Sequence, residues 1–137
     1  MKEAIKNIPG LKDLEKFIGI WDISGPDITG QQHLDWFEGG FFLEQHFSID
    51  YTGRKIKGVE YIEYDKENEQ CVSHLYDSEG HHFIYIWELK NKDITIWFGK
   101  KDCSNRFKGK FDKQYNSYSG AWEWPGGGYS FTAKKIK

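Results

Sequence analysis

Gly19-Ile20-Trp21 stands at the head of about ten short β-patterned segments, and nothing after it has helical periodicity. Apolar and polar residues alternate along each segment, as expected of strands with one buried face. Turn clusters separate them: Gly25-Pro26-Asp27, Gly39-Gly40, Thr52-Gly53, Asp65 to Glu69, Glu79-Gly80, Asn91-Lys92, Asp112 to Ser117 and Pro125 to Gly128. Consecutive hairpins give antiparallel neighbours and an up-and-down meander. A Gly-x-Trp leading such a meander suggests a closed all-β barrel whose mouth admits a small ligand. Leu11, Leu14, Phe17 and Ile18 recur at helical spacing, so residues 10–17 are expected to form one short N-terminal helix lidding one end.

The 137 residues are read as one domain, 1–137, long enough to bury roughly 70% of its unfolded surface. The net charge is -2, and no element concentrates Lys and Arg, which argues against a nucleic-acid partner. Lys134-Lys135-Ile136-Lys137 is short enough to be a solubilising strand end. Cys71 and Cys103 have no CxxC or Cys/His spacing, so a disulfide framework or zinc site is not expected. Met1 to Gly10 lacks an apolar leader pattern and no apolar run approaches membrane length, which implies a cytoplasmic protein without a membrane partner. The chain is expected as a monomer or homodimer.

Hairpin geometry turns these turns into registers. With Glu79-Gly80 as a two-residue loop, Tyr76 faces Phe83, His74 faces Tyr85 and Val72 faces Trp87. With Asn91-Lys92 as the next, Trp87 faces Ile96 and Tyr85 faces Phe98. One face then carries Val72, His74, Tyr76, Phe83, Tyr85, Trp87, Leu89, Ile94, Ile96 and Phe98, and is the expected interior. Ser73, Asp77, His82, Glu88 and Thr95 fall outside, together with Trp97. A Pro-Gly-Gly-Gly loop near the C-terminus aligns Trp124 with Tyr129 and Trp122 with Phe131, leaving Arg106 and Glu123 outside.

Gly120-Ala121-Trp122-Glu123-Trp124-Pro125-Gly126-Gly127-Gly128-Tyr129 resembles an uncharacterised bacterial lipocalin-like (calycin) family, a domain of unknown function. The likeness runs through Tyr64-Asp65, Asp77-Ser78-Glu79-Gly80 and Ile94-Thr95-Ile96-Trp97-Phe98-Gly99, and covers roughly residues 17–136. It implies a calycin barrel, the class of lipocalins, fatty-acid-binding proteins and nitrobindins. It also implies a basic residue of the last strand packed over the Trp21 indole. Lys135 stands there in place of the Arg expected in relatives, keeping the cation–π attraction without guanidinium stacking. A nitrobindin-like haem site would need a His near the C-terminus, but the last His is His82, so no cofactor is expected.

Register carried towards the N-terminus suggests a site. With Thr52-Gly53 as a two-residue loop, Phe47 faces Gly58, Gln45 faces Glu60 and Asp50 faces Lys55. With residues 65–69 as a five-residue loop, Glu60 lies opposite His74. Gln45, Glu60, His74 and Tyr85 would then form one inward row across four strands spaced about 4.8 Å apart. Glu60 would fix the His74 tautomer and raise its pKa, leaving imidazole or phenol to meet a polar ligand group. A four-residue turn at 66–69 would instead put Glu60 outside, with Tyr61 and Glu63 inside. Trp36, Trp87 and Trp122 are the aromatics expected to touch a ligand.

Other motifs reduce to structure. Gly126-Gly127-Gly128 precedes a strand, so no helix N-terminus awaits a phosphate. His81 and His82 point to opposite faces, and Cys103 has no base partner. His33 and His46 face each other outside, too few for a metal site. Three functions remain. The first is non-catalytic binding of a small hydrophobic or aromatic molecule with a polar head. The second is an enzyme using His74 and Glu60 as an acid–base pair, and the third an interaction module whose barrel is filled by its own aromatics.

Overall fold

Every turn cluster reverses the chain, residues 99–105 add a ninth reversal that those clusters did not include, and ten antiparallel strands result among the described residues: β1 (Gly19–Ser24), β2 (Ile28–Trp36), β3 (Leu43–Tyr51), β4 (Arg54–Asp65), β5 (Gln70–Asp77), β6 (His82–Lys90), β7 (Asp93–Phe98), β8 (Arg106–Phe111), β9 (Ser117–Trp124) and β10 (Gly127–Lys135). In this computed structural model, which describes Ile8 and residues 10–137, each strand pairs with its sequence neighbour. Pairing of β1 with β10 closes the barrel and removes both sheet edges. The expectation of no leader falls largely on residues 1–7 and 9, outside the described residues. Among the described residues no helix is long and apolar enough to cross a membrane.

The two ends of the barrel differ. Residues 12–17 form a six-residue 3-10 helix whose Leu14 and Phe17 are buried. The Phe17 ring sits 5.0 Å from Phe111, 5.3 Å from Trp87 and 5.7 Å from Tyr118, plugging the end where β1 begins. Trp21 is fully buried beside it and donates its indole N–H to the Phe17 carbonyl at 2.9 Å. Lys135 pairs with Trp21 across the closing seam and holds its Nζ 5.8 Å from the indole centroid. Trp36 and Leu43 end the β2–β3 hairpin at this plugged end.

Registers follow the turns, and three turns differ from expectation, two of them flanking β5. Between β4 and β5, Asp65 pairs with Gln70 around a four-residue turn. The Asp65 carboxylate stabilises it by accepting the backbone N–H groups of Glu67 and Asn68 at 3.1 and 3.3 Å. Between β5 and β6 the loop is residues 78–80. Gly80 N–H donates to the Asp77 carbonyl at 3.1 Å, Gly80 takes φ 87°, and Asp77 N–H donates to the His81 carbonyl. This is a type I turn followed by a left-handed glycine, which adds one residue to the expected two-residue loop. The Asp77 carboxylate fixes it by accepting N–H from Glu79 and His81 at 2.9 and 3.0 Å.

Each of the two flanking differences shifts β5 by one residue, so its two faces exchange. Cys71, Ser73 and Leu75 point inwards, opposite Trp87, Tyr85 and Phe83. Val72, His74 and Tyr76 lie outside, which corrects the expected interior face. At the C-terminal hairpin, Pro125 and Gly126 form a two-residue turn, with Trp122 opposite Tyr129. That is a shift of two positions, so the inward faces of β9 and β10 stay as expected. Arg106 pairs with Glu123, Gln45 with Glu60, Phe47 with Gly58, Trp87 with Ile96 and Tyr85 with Phe98, as the turns predict.

Candidate ligand-binding cavity

Beyond the Phe17 plug the barrel encloses a cavity of about 640 Å³. It reaches the opposite end, where Asp77, Asn105 and Pro125 border it. Its wall is mostly apolar: Ile23, Ile28, Phe47, Ile49 and Ile56 on one side, Phe83, Phe98, Phe107 and Phe131 on the other. Inward alternation on every strand makes this wall, because each second residue faces the lumen.

One polar cluster interrupts it. Glu60 on β4 is 3% exposed and meets three donors. Gln45 Nε2 donates to its Oε1 at 2.6 Å, while Ser73 Oγ donates to Oε2 at 2.5 Å. Trp87 Nε1 lies 3.3 Å from Oε2 and 3.0 Å from Ser73 Oγ, sharing its proton between them. Burial raises the Glu60 pKa from 4.5 to about 7, although the bonds from Ser73, Trp87 and Gln45 pull it down. The carboxyl therefore changes charge near neutral pH. Burial also pushes the Tyr85 phenol up, and the charge on Glu60 adds to that. A second polar pair, Gln32 Nε2 donating to Tyr118 OH, also lines the cavity.

Of the sequence-predicted row, Gln45, Glu60 and Tyr85 line the cavity. His74 does not. It sits on the outer face, where its Nδ1 lies 3.0 Å from His82 Nε2 and the two rings stack. The one-residue changes in the turns flanking β5 put it there, and Ser73 takes the inward place. Trp87 and Trp122 line the cavity, with Trp122 5.5 Å from Tyr85 and 5.8 Å from Phe107. Trp36 is packed in the core at the plugged end, away from the cavity, because it terminates β2 there. Gln32 and Tyr118 carry a signal that the row omitted: Gln32 shares parity with Leu34 and Trp36, Tyr118 with Trp122. Ser73 has no such signal, since its face depends on both flanking turns.

No protein-family model and no curated protein matches the chain. Among the described residues no three His, Cys, Asp or Glu side chains converge as metal ligands. His33 and His46 pair across β2 and β3 on the outer face. Cys71 and Cys103 are both free, and burial, with the charge of Asp13 adding, pushes the Cys71 thiol up to about 12. A thiol held so fully protonated is a poor nucleophile.

Proposed function

We propose that this chain is a non-catalytic barrel that binds a small, mostly apolar molecule by its body and holds one polar group of it at Glu60. The observation that carries the reading is a cavity of about 640 Å³ whose apolar wall contains one buried, hydrogen-bonded polar cluster. Pockets for small molecules have this size and this division of labour between apolar wall and sparse polar anchors. So large a space argues against a barrel filled by its own aromatics. An acid–base enzyme loses its second member, because His74 is outside the cavity with His82. The Trp21 indole capped by Lys135 supports a lipocalin-like, calycin-type assignment. Two free thiols fit a reducing cytoplasm, where a monomer or homodimer needs no disulfide.

Native mass spectrometry of the protein from its source cell tests the reading. A co-purifying small molecule, released on denaturation, is the expected result. A protein that carries only its own mass and leaves an apolar naphthalene dye unbound would overturn it.

A further inference from the structure

Resting on that reading, we infer that the polar head of the ligand is a protonated amine, so the cavity takes organic ammonium compounds with an alkyl or aromatic body. Two acidic residues, Glu60 and Asp77, line the cavity, whereas among the described residues no Lys, Arg or His does. Asp77 lies at the rim and is engaged by His81 Nδ1 at 3.0 Å. Glu60 is deep, and its hydrogen-bond partners, Gln45, Ser73 and Trp87, are all neutral. Buried charges are ordinarily matched by an opposite charge, and nothing on the cavity wall supplies one here.

Acceptor capacity agrees with charge. A carboxylate offers about four acceptor sites, and three donors reach this one, leaving a site on Oε1 beside Gln45. Gln45 turns its nitrogen to the carboxylate, so its own carbonyl oxygen is a further acceptor. The rings of Tyr85, Trp87 and Trp122 border the same chamber and present faces that attract cations. An ionised carboxylate head meets the reverse conditions, because it would share a low-dielectric chamber with Glu60 and no cation. An alcohol head would be tolerated, yet it leaves the charge on Glu60 unmatched.

Decylamine, decanol and decanoate share one alkyl body and differ in head group, so their quenching of Trp87 and Trp122 fluorescence isolates the head. Decylamine should bind at least ~10-fold more tightly than decanol, and decanoate most weakly. Glu60→Gln should erase the preference for amine over alcohol, because decylamine loses its counter-charge while a Gln amide can still hydrogen-bond either head. Wild-type protein gives a second readout. Among the described residues, the titratable groups that share the cavity wall with Glu60 include Tyr85 of β6 and Tyr118 of β9, whose phenols burial holds neutral near neutral pH. Asp77 of β5, at the rim, is another, and against the upward push of partial burial the hydrogen bonds from His81 and Glu79 hold its carboxyl low. Amine affinity should therefore rise as pH climbs through about 7 and Glu60 ionises, with decanol affinity flat. Equal affinities for amine and alcohol, or a preference that survives in Glu60→Gln, would overturn the head-group assignment alone. Failure of all three compounds to bind would overturn the cavity reading with it.

Discussion

Glu60 binds its proton more tightly in the folded protein than in the unfolded chain, since burial lifts its pKa from 4.5 to about 7. A carboxyl raised in this way adds stability below its unfolded value and loses that contribution as pH rises through about 7. The gap is worth about 3 kcal/mol for so buried a group. Glu60→Gln keeps the shape and most hydrogen-bonding capacity but does not ionise. Its stability should match wild type in acid and exceed it by about 3 kcal/mol well above neutrality. Urea midpoints at the two pH extremes check this, and a gap that ignores pH would mean that the carboxyl titrates normally. The neighbouring histidine gives the opposite expectation. His74 stacks on His82 outside the barrel, so His74→Phe should leave decylamine affinity unchanged in the same fluorescence titration.

Among the strands, the sequence is legible wherever turn residues dictate turn length. Thr52-Gly53 and Asn91-Lys92 are two-residue turns with left-handed backbone at Thr52, Gly53 and Asn91, and the β3–β4 and β6–β7 registers follow from them. Around β5 the turns are of ambiguous length. Asp65 caps a four-residue turn where five residues fit the pattern equally well, and Asp77 holds a three-residue loop where two would serve. The two one-residue changes have opposite sign, so they cancel across β5. Glu60 and Tyr85 keep their inward faces while His74 and Ser73 trade places. That cancellation is why most of the site could be read and its histidine could not. Gly80 carries the decisive turn, with φ 87° and open space where a Cβ would sit. Substitution there is opposed by backbone conformation alone. Gly80→Ala should cost about 1 kcal/mol, with Gly80→Asn milder because Asn tolerates the left-handed region. Thermal melts of the two variants would show that order, and equal losses would point to a contact at Gly80.

At the scale of the whole barrel, close packing and open volume are divided between the two ends. The plugged end is dense: Leu11, Leu14, Phe17 and Trp21 are at most 1% exposed, and Phe17 touches the rings of Trp87, Phe111 and Tyr118. The other end is lined by side chains that face empty volume on one side, Trp122 among them. Removing a side chain from close-packed surroundings loses its transfer free energy and leaves a new void. Removing one from a cavity wall enlarges a space that already exists. Phe17→Ala should therefore destabilise the fold by about 3–5 kcal/mol and loosen the plug under Trp87. Trp122→Ala should cost less, about 1–2 kcal/mol, because the half-buried indole has just Tyr85 and Phe107 as ring partners among the described residues. Its effect on binding should be the larger one, since the ligand loses a flat apolar face and a ring that can attract an ammonium head. Paired denaturation and decylamine titrations of the two variants separate these roles. A Trp122→Ala protein that melts as early as Phe17→Ala yet binds decylamine like wild type would show that the indole belongs to the packed core and that the cavity is shallower than its wall implies.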